Sequence, residues 1–142
     1  MSSLLLVSDA IGSRLAVEMS VVRRLEQIAS TRVERSGPLE VVQYEGGILP
    51  LVRIADRLPS GPRQNGDTDA DVLQTVVCES SIGLVGLVMG RIDDVVARPA
   101  SVATPQPPSR RGVVASVVVD DRITELLDVE LLIADAGVWS KQ

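Results

Sequence analysis

Two pairs of adjacent carboxylates, Asp93-Asp94 and Asp120-Asp121, an acidic run DTDAD at 67–71 and one thiol, Cys78, are the residues of this chain whose types could do chemistry. The sequence contains no histidine. That removes the commonest general base, the commonest metal ligand, any Ser-His or Cys-His nucleophile pair, and histidine phosphotransfer. Adjacent side chains in extended chain point to opposite faces, so Asp93-Asp94 reads as solvated rather than as an acid/base dyad. Asp120-Asp121 falls at an expected turn. DTDAD begins as a calcium loop does, but Val72 stands where the sixth position requires Gly and Cys78 where the twelfth requires Glu. GLVGLVMG at 83–90 is spaced neither as G-x-G-x-x-G nor as a phosphate-binding loop. Its glycines are expected at bends or close backbone approaches. Cys78, inside LQTVVCES, reads as a small buried core residue, and a single thiol fits a reducing compartment. No catalytic, metal-binding or cofactor-binding residue is assigned.

The 142-residue length suits about one domain with its own core. Hydrophobic residues make up 45% of the chain, yet there is one Trp, one Tyr and no Phe. The core must therefore be built from Val, Leu and Ile, whose β-branched members favour sheet. Net charge is −5 with the signs interspersed, and neither a basic stripe nor an aromatic stacking platform is present. Nucleic acid is not an expected partner. MSSLLLVSDA lacks a basic flank and its apolar run is too short for a signal peptide or a span. No direct membrane insertion is expected, and the expected location is cytoplasmic.

Four hairpin-like units organise the chain: 4–19, 41–54, 73–96 and 112–129, the last turning at Asp120-Asp121. A short helix is expected over SVVRRLEQIA, from Val21, Leu25 and Ile28 at i, i+4 and i+7, with Ser20 as its cap. A second helix is expected from about Val129, capped by Asp128 and stopped by Gly137. The stretches 59–71 and 98–112 read as linkers. In the second hairpin Pro50 follows the Glu45-Gly46 turn closely, which suggests an edge strand left open for docking.

The halves repeat. Moved by 71 positions, Leu5, Leu6, Val7, Ile11, Gly12, Ala16 and Val17 fall on Val76, Val77, Cys78, Ile82, Gly83, Leu87 and Val88. Moved by 75, the second hairpin falls on the fourth, with Glu45-Gly46 over Asp120-Asp121. The expected fold is mainly β: two pseudo-symmetric, intertwined five-stranded SH3-like barrels with short helices, forming one domain over 1–142. The two lobes would meet near the 59–71 linker, with strand exchange between them allowed.

VVQYEGGILPLVRI, IGLVGLVMGRIDDVV and TELLDVELL, in that order, resemble the signature stretches of the CheW-like domain of bacterial chemotaxis across about residues 4–133. Tyr44, Gly46, Leu49 and Pro50 match the family's Y-R-G-x-x-L-P pattern, and Gly86 and Leu87 its G-L-V-V-D stretch. Glu45 stands where the family usually has Arg, Met89-Gly90 replace Val-Asp, and Asp121 replaces a turn Gly. RLEQIASTRVERSG and DDRITELLDVELL resemble the C-terminal regulatory domain of the kinase CheA more than the free adaptor. Starting at Met1 without a kinase or phosphotransfer segment, the chain is expected to be a stand-alone adaptor. The resemblance implies a scaffold without a cofactor, joining the cytoplasmic helical tips of chemoreceptors to the regulatory domain of a CheA-type histidine kinase. It would be recruited to membrane-bound receptor arrays. Partner-binding residues implied are Tyr44, Glu45, Gly46, Leu49, Pro50, Gly86 and Leu87. Three alternatives of role or class stand beside this: an excised kinase regulatory domain, a small-molecule-binding barrel, or an enzyme subunit using Asp93, Asp94 or Asp128.

Overall fold

The computed structural model describes residues 3–9, 12–58, 71–97 and 110–138. Its elements in chain order are β1 (Ser3–Ser8), β2 (Arg14–Glu18), β3 (Val22–Ala29), β4 (Glu34–Ser36), β5 (Leu39–Tyr44), β6 (Gly47–Arg53) and the short helix α1 (Ile54–Arg57). After them come β7 (Val72–Ser80), β8 (Gly83–Met89), β9 (Arg91–Ala97), β10 (Val113–Val119), β11 (Arg122–Leu127) and helix α2 (Val129–Asp135). Most of residues 59–71 and 98–112, read from sequence as linkers, lie outside the described residues.

The strands form a five-stranded sheet, ordered β10-β11-β2-β1-β9, and a six-stranded sheet, ordered β3-β7-β8-β6-β5-β4. Each sheet combines a hairpin from one half of the chain with strands from the other, so the halves are exchanged. The join is the same in both. β11 runs parallel to β2 through Leu126↔Ala16, and β6 runs parallel to β8 through Leu51↔Gly86. The sheets differ by β4, which lies beside β5 and gives that sheet six strands instead of the expected five.

Burial explains the unbroken apolar runs. Leu4 and Leu6 of β1 pack with Ala16, Val117 and Leu126 against the inner face of the five-stranded sheet. Leu5 and Val7 turn the other way into a shared core with Val76, Cys78 and Leu87. A third cluster, including Val42, Leu49, Leu51 and Val77, fills the six-stranded sheet. Strands buried on both faces lose the polar half of their alternation, hence LLLV and TVVC.

Three expectations are corrected. SVVRRLEQIA is not helical: a 3-10 turn at Met19–Val21, which includes Ser20, leads into β3. β3 pairs with β7 along its length, with a bulge between Val22 and Arg24. Pro50 is not on an edge strand, because β6 lies between β5 and β8; the parallel ladder to β8 begins one residue later, at Leu51. A missing N–H is tolerated on a flank not yet engaged in the ladder. The repeat offset also changes within the first hairpin. Leu6 faces Ala16 and Val77 faces Gly86. Ala16 and Val17 therefore correspond to Gly86 and Leu87, one residue earlier than the 71-residue offset gives, because the β1–β2 connection is the longer. A one-residue slip would exchange the two faces of the strand. Helix α2 follows expectation: the Asp128 carboxylate accepts from the Leu131 N–H at 3.1 Å, and Gly137 leaves the helix at φ 73°.

Candidate partner-binding surface

The second hairpin carries most of the residues proposed from sequence. Its two central turn residues, Glu45 and Gly46, have φ of 50° and 79°, the positive pair that joins twisted strands with a two-residue loop. Tyr44 closes β5 half-buried, and its hydroxyl donates to Glu26 Oε2 at 3.0 Å. Arg24 Nη1 donates to Glu45 Oε2 at 2.8 Å, and its Nε lies 3.6 Å from Glu26. β3 is one edge of the sheet order and β5 lies one strand in from the other edge, so these side-chain bonds fasten a seam where the sheet has curled round on itself. Burial, then the hydrogen bond and charge of Glu26, push the Tyr44 hydroxyl above its ordinary value. Arg24 is held above its own by Tyr44 first, then Glu26 and Glu45.

On the far side of the hairpin, Arg32 donates to the Gln43 carbonyl at 2.8 Å and Gln43 to Glu34 at 3.1 Å. Between β4 and the turn lies an open depression of about 530 Å³ with Val41 and Val42 in its wall, Glu34 and Glu45 at its rim and Ile48 beside them. Ile48 is 59% exposed. This gives the hairpin tip an apolar contact bordered by carboxylates.

The seven sequence-assigned residues divide by depth. Tyr44, Glu45 and Gly46 reach the surface. Leu49, Pro50, Gly86 and Leu87 are buried. Gly86 sits where a Cβ would lie 2.8 Å from Thr75 Cγ2 and 2.9 Å from Leu51 Cδ2, so it permits the close β6–β8 approach. Leu49 packs in the cluster of the six-stranded sheet and Leu87 in the shared core.

Sequence reasoning missed a second exposed face. Val118 and Ile123 face each other across the β10–β11 hairpin, 60% and 74% exposed, and Val114, at the bulge of β10, is exposed as well. VVASVVV reads as core throughout. The available signal was its position beside a turn, where an outward face must exist.

The carboxylates considered for catalysis have structural partners or solvent. Asp93 Oδ2 accepts from Ser8 Oγ at 2.6 Å and Oδ1 from Arg91 Nε at 2.6 Å; burial opposes these bonds, yet the carboxyl stays below its usual range. Asp94 accepts from the Val95 N–H, and Asp128 caps α2. Cys78 is fully buried, which pushes its thiol up to about 12. Among the described residues no group of three or more His, Cys, Asp or Glu could hold a metal ion, and no helix is long and apolar enough to cross a membrane.

With the exchanged sheets and the seam described, comparison with known proteins decides the family. The model of the CheW-like domain matches residues 5–137. The chain belongs to the CheW-like domain family. Among solved structures, the scaffolding protein TtCheW from Thermoanaerobacter tengcongensis superposes with a TM-score of 0.74 at 17% identity, covering 94% of this chain and 93% of that one. At that identity the likeness concerns the fold. No curated protein sequence matches the chain. The family match and the superposition agree on a β-rich, CheW-like fold.

Proposed function

We propose that this CheW-like chain is a non-catalytic adaptor that joins the cytoplasmic helical tips of chemoreceptors to the regulatory domain of a CheA-type histidine kinase. The family match over residues 5–137 carries this reading. The surface supports it: two pseudo-equivalent hairpins present Tyr44, Glu45 and Ile48 on one sheet and Val114, Val118 and Ile123 on the other. An apolar centre bordered by polar groups suits recognition by a protein partner. Glu45, in the place where the family usually has Arg, turns the partner's expected charge at that tip toward basic. The chain would work in the cytoplasm, recruited to receptor arrays at the membrane. The alternative, a regulatory domain excised from a kinase, is favoured by RLEQIASTRVERSG and DDRITELLDVELL.

Calorimetric titration against the regulatory domain of a chemotaxis kinase from the same genome tests the adaptor reading. Saturable heat is expected, weakened at least tenfold by Ile123→Glu with the melting temperature unchanged, and by Glu45→Arg, which also replaces the exposed Arg24–Glu45 pair with two like charges. No heat with any kinase of that genome, or heat indifferent to both substitutions, would overturn it. Finding an ATP-binding domain upstream in the same reading frame would decide for the excised domain.

A further inference from the structure

The internal repeat makes one lobe a control for the other. Leu6↔Asp94 and Val77↔Arg24 are matching pairs in the two sheets, each beside a bulge. Asp94, Val96, Val119 and Asp120 of the five-stranded sheet thus stand where Arg24, Glu26, Tyr44 and Glu45 stand in the six-stranded one. In the six-stranded sheet this seam is sealed. Arg24 pairs with Glu45, Tyr44 bonds to Glu26, and Arg23 of the bulge pairs with Glu79.

The five-stranded sheet has a different seam. Two carboxylates, Asp94 and Asp120, replace the Arg24–Glu45 pair, and both border an open depression of about 340 Å³. Three arginines also border it: Arg14, Arg91 and Arg122. Their counterparts in the sealed seam are Leu84, Val21 and Gly47, none of them charged. Arg91 is taken up by Asp93 at 2.6 Å. The side chains of Arg14, Arg122 and Asp120 have no hydrogen-bond or ion-pair partner among the described residues; Arg14 reaches Asp93 only through its longer-range field. Most other described arginines are engaged, Arg53 with Glu40 and Arg111 with Asp135 among them. Behind the depression, Leu6 and Ser8 are 4% exposed each and give it a firm floor.

We propose that this open seam is a second docking surface, for a protein segment that brings a carboxylate to Arg14 and Arg122 and a basic side chain to Asp120. The three arginines and the three acids around the depression balance, so a purely anionic or purely cationic ligand gains on one side and is repelled on the other. A segment bearing both signs about one helical turn apart gains on both. Arg14 and Arg122 suit the carboxylate half because a guanidinium fork grips it with two parallel bonds. At the sealed seam the equivalent side chains are bonded to one another, Arg24 to Glu45 and Tyr44 to Glu26, so the proposed surface belongs to one lobe. It lies on the opposite sheet from Tyr44 and Glu45, and the proposal does not depend on the kinase partnership.

The probe is the peptide acetyl-EAAAK-amide, titrated into the full chain while the arginine Nε–Hε signals are followed by NMR. Signals of Arg14 and Arg122 and the Asp120 amide should shift saturably, in the millimolar range typical of two isolated ionic contacts. Arg53 and Arg24 should stay still. Acetyl-QAAAK-amide and acetyl-EAAAQ-amide should each bind at least fivefold more weakly, and Arg14→Gln with Arg122→Gln should abolish saturation without changing the melting temperature. Linear, unsaturable shifts would overturn the proposal. So would equal binding of all three peptides, or binding that survives in the double variant.

Discussion

Asp120 and Asp121 hold φ of 52° and 61°, where an L side chain crowds its own backbone and glycine does not. In the equivalent turn the second position is Gly46. Asp121→Gly should relieve that crowding, offset partly by the added freedom of glycine in the unfolded chain. The net gain expected is about 0.5–1 kcal/mol, read as a raised urea midpoint with unchanged slope. Arg53 and Glu40 supply a second residue-scale test. They meet through two bonds of 2.6 and 3.2 Å and are largely shielded. The Arg53 hydrogen bond is the main cause holding the Glu40 carboxyl below its ordinary value. A carboxyl depressed in the folded state adds stability above its unfolded pKa and loses it as pH falls through the folded one. Arg53→Gln should therefore cost about 1 kcal/mol at neutral pH after solvent screening. Its melting curve should converge on wild type as the solution is acidified below the ordinary carboxylate range. A pH-independent gap would assign the loss to packing instead.

At the scale of elements, the parallel β6–β8 ladder depends on the missing side chain at Gly86. A Cβ there meets Thr75 at 2.8 Å, Leu51 at 2.9 Å and Leu49 at 3.3 Å. These are methyl ends that yield in part, so Gly86→Ala should cost about 1–3 kcal/mol, measured by denaturant unfolding, with the amides of Leu51–Arg53 exchanging fastest. The glycines of GLVGLVMG were expected at bends or close backbone approaches, and Gly86 is such an approach. The hairpins themselves were legible because turn residues at 45–46 and 120–121 break apolar stretches at matching places. β3 was not legible, for a physical reason. The bulge at Arg23 breaks the two-residue period, and Arg24 and Glu26 take positions directed at Tyr44 and Glu45 in the seam. That polar seam removes the apolar alternation of a strand. Val21, Leu25 and Ile28 then mimic a helix, although Leu25 is 49% exposed and Ile28 is buried. The candidate site was legible in the same proportion. Motif residues located the hairpin tip, but only three-dimensional depth separates exposed Glu45 from buried Leu49, and no spacing rule pairs Asp94 with Asp120.

For the whole molecule, strand exchange predicts that neither half is a folding unit. A fragment of residues 1–66 holds β1 and β2 without β9, β10 and β11, and β3 to β6 without β7 and β8. Leu5, Val7, Leu15 and Val17 would then face water where Val76, Cys78, Val85 and Leu87 now cover them. Residues 67–142 are bereft in the complementary way. The lone hairpins β1–β2, β7–β8 and β10–β11 are marginal in water, and the three-stranded β4–β5–β6 piece loses Leu73, Val77 and Val88, which now pack with its Val42, Leu49 and Leu51. Each fragment alone should show no cooperative unfolding by far-UV circular dichroism. Mixed in equal amounts, they should regain the sheet signal and unfold in one transition whose midpoint rises with concentration, as mass action requires of two chains sharing one core. If either fragment melts cooperatively alone, the shared core is not what holds the sheets together, and each hairpin pair would have to be stable on local contacts. In the intact chain both sheets should lose their slowest-exchanging amides together, because the cluster joining β1, β2, β7 and β8 belongs to both.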